Sequence, residues 1–89
     1  MSTKELEKVK LKEQVIRLRE LILHNDDFNT FDHVITCLMS ICDHAAVQAE
    51  QCAYIVHHNG KCSVKAGTSE KLQPMLIALQ LQNLTAEIK

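Results

Sequence analysis

The chain has 89 residues, 46% hydrophobic and 24% charged, with a formal net charge of −1. This is enough for one small domain, and the near-neutral balance gives no basic footprint for nucleic acid and no polybasic attraction to a membrane. No apolar run approaches the roughly 20 residues that span a bilayer. The opening Ser2-Thr3-Lys4-Glu5-Leu6-Glu7-Lys8 lacks the apolar centre of a secretory leader, so a cytoplasmic protein is expected, with Cys37, Cys42, Cys52 and Cys62 reduced and acting as small apolar residues.

Residues 1–17 are rich in Lys and Glu and carry only a weak helical stripe, Leu6, Val9 and Ile16. They are read as a flexible extension ahead of a domain over 18–89. The continuous apolar run Leu21-Ile22-Leu23, ending at Asn25-Asp26-Asp27, predicts a buried strand over about Leu18–His24. From Thr30 the period becomes helical: Phe31, Val34, Ile35, Leu38, Ile41 and Cys42 share a face. Asn29 is the expected N-cap, with Asp32 in the first turn where the helix dipole favours an acid. A second helix is predicted over about Ala45–His58, its inner face made of Ala46, Ala49, Cys52, Ala53 and Val56 and its end marked by Asn59-Gly60. Cys62 and Val64 alternate with polar neighbours as a strand, and Ala66-Gly67 is the expected turn. Thr68 or Ser69 opens a third helical segment carrying Leu72, Met75, Leu76 and Leu79, with its regular part starting near Lys71 after a loose turn, so that Pro74 falls in the first turn. Leu84, Ala86 and Ile88 alternate as a last strand. The order β-α-α-β-α-β predicts an α+β, two-layer domain, in which a small three-stranded sheet, antiparallel or mixed, packs against three helices.

Catalysis and metal binding find little support in this pattern. The Cys and His residues lack the close paired spacing of zinc sites. Cys52 and His57 point well apart on one helix, no nucleophile elbow is present, and there is no phosphate-binding glycine loop. No enzyme, metal or cofactor is therefore expected. Binding fits better. A cationic amine with three donors needs acceptors at about 2.7–2.9 Å. Asn25 and Asp26 offer them after the first strand, and neutral His57 offers another at the end of the second helix. Phe31, Val34, Ala53 and Val56 would supply apolar walls. On these residues alone, a capped turn and a polar helix end remain the plainer reading.

Two stretches carry a resemblance. Asn25-Asp26-Asp27-x-Asn29-Thr30-Phe31-x-x-Val34-Ile35, followed by Gln48-Ala49-Glu50-Gln51-Cys52-Ala53-x-Ile55-Val56-His57-x-x-Gly60-Lys61-Cys62, resembles the ClpS family of bacterial adaptors, from about Leu18 to Lys89. The family fold has the same element order. The resemblance implies an adaptor that binds the free α-amino group and bulky first residue (Leu, Phe, Tyr or Trp) of N-degron substrates. It would deliver them to a Clp AAA+ unfoldase of ClpA or ClpC type. It assigns Asn25, Asp26 and His57 to the α-amino group. Asp27, Asn29, Phe31, Val34, Ala53, Val56 and Leu84 would shape the side-chain pocket, with Leu23 and His24 at its edge. It also places residues 1–17 where the family has its delivery extension. Phe31 and Ala53 stand where family members often carry Met, and Asn29-Thr30 where they often carry Thr-Pro. The competing readings are a docking domain of ribosomal-stalk type and a small zinc-binding regulator.

Overall fold

The computed structural model, which describes residues 17–89, resolves the apolar periods into β1 (Arg19–His24), α1 (Phe31–Ile41), α2 (Ala46–Asn59), β2 (Lys61–Gly67), α3 (Ser69–Leu81) and β3 (Thr85–Ile88). The expected α+β order is observed. The extension expected over residues 1–17, with its stripe of Leu6, Val9 and Ile16, lies outside the described residues except for Arg17.

The three strands form one antiparallel sheet in the order β2-β1-β3. β1 is central, and its alternation aims Leu21 and Leu23 at the helical layer, where they are 0% and 1% exposed. Leu38 of α1, Ala49 and Val56 of α2, and Leu72 and Leu79 of α3 complete the same core. A fully buried leucine contributes about 1.5–3 kcal/mol, so this aliphatic cluster is the main source of stability in a chain with few aromatics. The small inner face of α2, Ala49, Cys52 and Ala53, permits its close approach to the sheet.

Register adds a feature that periodicity does not reveal. Leu21 pairs with Lys65 but Ile22 pairs with Ser63, so Val64 is an extra residue in β2. A bulge releases backbone groups from the ladder, and the Val64 carbonyl accepts a 2.6 Å hydrogen bond from Nε2 of His44, buried at 5% exposure. The carbonyl can only accept, so Nε2 carries the proton. Nδ1 of His44 is left buried without a partner. Lys65, beside the bulge, donates to the Cys42 carbonyl at 3.0 Å. The bulge is thus fastened to the α1–α2 connection at two points.

Three local expectations are corrected. The N-cap of α1 is Thr30, whose hydroxyl accepts from the His33 N–H at 3.1 Å, and not Asn29. Both residues cap well, but the Asn29 side chain is engaged elsewhere. α3 begins at Ser69, so Pro74 lies beyond its first turn. The Thr68 hydroxyl accepts from the Lys71 N–H at 3.3 Å, and buried Leu72 anchors that turn. Pro74 withholds a hydrogen bond from the Glu70 carbonyl, yet both residues are on the exposed side of the helix. Gly67 belongs to β2 and is not a turn. At Gly60 the backbone is left-handed, φ 91°, and its N–H closes α2 on the Val56 carbonyl at 2.9 Å.

Two substitutions test this account. α2 starts at exposed Ala45, which offers no side-chain cap, so Ala45→Ser should raise the unfolding free energy by about 1 kcal/mol. His44→Leu should lower it by about 1–3 kcal/mol, because the Val64 carbonyl loses its buried partner. Urea denaturation midpoints measure both.

Candidate functional site

β1 ends at His24, and the loop that follows is built around one carboxylate. Oδ1 of Asp26 accepts from the Phe28 and Asn29 N–H groups, both at 2.9 Å. Oδ2 accepts from the Asn29 side-chain amide at 2.8 Å. Burial pushes the Asp26 carboxyl up, but the hydrogen bonds from Asn29 and Phe28, with the charge of His33, outweigh it and hold the group below its ordinary value. A carboxylate has about four acceptor positions, so with three engaged in shaping the loop Asp26 keeps one for a ligand.

The other amide hydrogen of Asn29 goes to the Asn83 carbonyl at 2.9 Å. Nε2 of His33 donates to the Gln82 carbonyl at 2.9 Å. The loop and α1 therefore satisfy carbonyls left open at the end of α3, where Asn83 is left-handed at φ 67° and the Leu84 N–H returns to the Leu79 carbonyl at 3.0 Å. Sequence reasoning gave Asn29 a cap and a pocket wall; its amide also holds two distant segments together. Nothing in the sequence signals this, because the partners are 54 positions apart.

On the opposite side, the Asn25 N–H donates to the Gly60 carbonyl at 2.8 Å. This brings the loop against the end of α2, and with it His57. The His57 ring lies 5.2 Å from the Phe31 ring at 56°, a tilted contact between α2 and α1. Between them opens a cavity of about 270 Å³. Asn25, Asp26, Asp27, Asn29, Phe31, Val34, Ala53, Val56 and His57, all singled out from sequence, line it together with Thr30. Ala53 and Val56 are buried at its base, and Phe31 is 44% exposed at its mouth. Leu23 and Leu84 stand further in, 1% and 4% exposed. With His24 they line a small adjoining cavity of about 20 Å³ that shares Asn25, Asp26, Asn29, Val34 and Val56 with the larger one.

The chemistry of this lining is one-sided. It contains two carboxylates and no Lys or Arg, so the mouth favours a cation while the base is apolar. At the edge, Nε2 of His24 donates to Oε2 of Glu87 at 2.5 Å, and this bond, together with Lys89 and Lys61 nearby, holds the Glu87 carboxyl below its ordinary value. Glu87 was not singled out from sequence; its pairing with His24 follows from the register of β1 against β3. Among the described residues no group of three His, Cys, Asp or Glu side chains could hold a metal ion.

The chain is similar to known proteins. The family profile described as ATP-dependent Clp protease adaptor protein ClpS matches residues 17–86. The chain is similar to the ATP-dependent Clp protease adapter protein ClpS of Campylobacter jejuni subsp. doylei, 33% identical over 100% of this chain and 95% of that one. The ClpS protein of Campylobacter jejuni subsp. jejuni strain 81-176 is 34% identical over 98% of this chain and 93% of its own. Among solved structures, Agrobacterium tumefaciens ClpS2 bound to L-phenylalaninamide has the same fold, with a TM-score of 0.76 over 81% of this chain and 94% of that one, at 17% identity.

Asn29→Ala removes a donor to Asp26 and should raise the Asp26 pKa toward that of an ordinary aspartate, as read by NMR titration. A depressed carboxyl stabilises the fold above its unfolded value, near 3.9, and that contribution is lost as pH falls through the folded value. Wild type should therefore lose more stability than Asn29→Ala on acidification below about pH 4.

Proposed function

The chain belongs to the ClpS family of ATP-dependent Clp protease adaptors, and from that membership we propose that its cavity holds the N-terminal residue of N-degron substrates bound for a Clp AAA+ protease. The carrying observation is the juxtaposition of an acceptor-rich mouth with an apolar base. An α-ammonium carries three donors and one positive charge. Asn25 Oδ1, the remaining acceptor position of Asp26 and a neutral His57 nitrogen offer three acceptors. The first side chain then enters between Phe31, Val34, Ala53 and Val56. Asp27, Asn29, Leu84 and Leu23 shape the surrounding wall.

The ligand of the structural relative supports this reading. L-phenylalaninamide has a free α-amino group, an aromatic side chain and an amide where a peptide would continue. In this chain the accepted first residues are Leu, Phe, Tyr and Trp. Phe31 narrows the mouth, while the small Ala53 leaves depth at the base. The remaining parts of the reading are a ClpA- or ClpC-type unfoldase as partner, residues 1–17 as the extension used in delivery, 18–89 as the adaptor domain, a cytoplasmic setting and no catalytic step of its own.

A peptide panel varying only the first residue, with free and acetylated termini, tests the proposal. Burying a Leu or Phe side chain contributes about 1.5–3 kcal/mol, so Ala-initiated peptides should bind at least about tenfold more weakly. Acetylation removes the charge and two donors and should abolish binding. Equal affinity for free and acetylated peptides would overturn the amine-binding role. His57→Ala should weaken binding of the free peptide while leaving the acetylated one unchanged.

A further inference from the structure

Two of the four cysteines lie outside the pocket lining, one on α2 and one on the strand that follows it. Cys62 of β2 pairs directly with Leu23 of β1. Cross-strand partners share a face, and Leu23 faces the helical layer, so Cys62 does too. Cys52 lies on the inner stripe of α2, three residues after buried Ala49 and four before buried Val56. Both cysteines pack on the core, both are free, and both are partly accessible, unlike buried Cys37 and Cys42. The Cys62 thiol is pushed up to about 11, first by burial and then by the neighbouring Cys52 thiol.

We propose that Cys52 and Cys62 form a dithiol site that small-molecule disulfides oxidise to an intramolecular disulfide, loosening the pocket's hold on its peptide. The second half of this statement rests on the peptide-binding reading above. Cys52, as thiolate, attacks one sulfur of a disulfide RSSR and expels RS⁻. Cys62 then loses its proton and attacks the Cys52 sulfur of the mixed disulfide, expelling the second RS⁻. The protein loses two hydrogens and RSSR becomes two RSH. Such disulfides in reducing compartments are usually transient and regulatory.

The consequence follows from what the new ring encloses. The covalent loop from 52 to 62 contains Ala53, Val56, His57 and Gly60, the whole α2 side of the pocket. An S–S bond is about 2.05 Å, so the two sulfurs must close by roughly 1.5 Å or more from contact distance. Cys52 takes Ala53 and the following turn with it, so the α2 wall shifts relative to the Asn25–Asp26 side.

The test uses the full chain equilibrated with reduced or oxidised glutathione. Combined digestion with trypsin and a glutamyl endopeptidase separates 51–61 from 62–65, and Cys52 from Cys37 and Cys42. The expected product is 51–61 joined to 62–65, two hydrogens lighter than the free pair and absent from Cys52→Ala and Cys62→Ala. The oxidised chain should bind a Leu-initiated peptide on the order of tenfold more weakly, the effect of losing one charge-assisted hydrogen bond. Both variants should bind alike in either buffer. Absence of this cross-link overturns the dithiol site, and a cross-linked chain of unchanged affinity overturns the coupling. If the reduced chain binds no peptide, the peptide reading has failed instead. Cross-link mapping then still decides the dithiol, and an unmoved His57 ring signal on oxidation overturns the coupling.

Discussion

A single backbone hydrogen bond, from the Asn25 N–H to the Gly60 carbonyl at 2.8 Å, joins the two halves of the site. One half follows the central strand and the other ends the second helix, and neither makes a pocket alone. The bond forms where β1 and its ladder to β2 stop and α2 has just turned through left-handed Gly60. Its geometry depends on both terminations. Gly60 is the residue that can take φ 91° with little strain, and the exact end of the helix decides where His57 stands. Ring contact between His57 and Phe31 then sets the distance from α2 to α1.

The loop on the other side is held by a different economy of hydrogen bonds. Asp26 organises its own neighbours through three contacts, and Asn29 relays that order to the end of α3. A polar residue in such a loop has a structural partner and a side facing the cavity at once. That explains why Asn25, Asp26 and Asn29 are all needed where a simple turn would use fewer. It also means that the floor of the site, through Leu84 and Leu23, is continuous with the main core.

Much of the fold was legible because burial imposes a period. The stripes of α1 and α2, the run at Leu21-Ile22-Leu23 and the alternation ending at Ile88 each reflect a face turned to the core. What escaped was set by contacts far apart in the chain. Asn29 and Thr30 are both good caps, and only the Asn83 carbonyl, which claims the Asn29 amide, decides between them. The Val64 bulge appears only when β1 and β2 are paired, and His44 looks like a polar interruption until the released carbonyl is seen beside it. Pro74 was weighed by its local penalty, while Thr68 and Leu72 had already determined where the helix starts. In the site, the Asn25–Asp26–Asp27 cluster was visible as a surplus of acceptors. Its pairing with His57 needed either the resemblance or the fold, since nothing local joins residue 26 to residue 57.

The arrangement of β1 has one more consequence. Glu20 and Lys89 exchange both of their backbone hydrogen bonds, at 2.9 and 2.8 Å, beside the start of the central strand, while the pocket loop leaves from its other end. Four residues of β1, Leu21 to His24, lie between Glu20 and the loop at Asn25, a span of about 17 Å at the usual rise. Both chain ends of the folded unit thus emerge side by side, on the pole opposite the mouth. A segment attached at either point leaves the opening of the cavity clear.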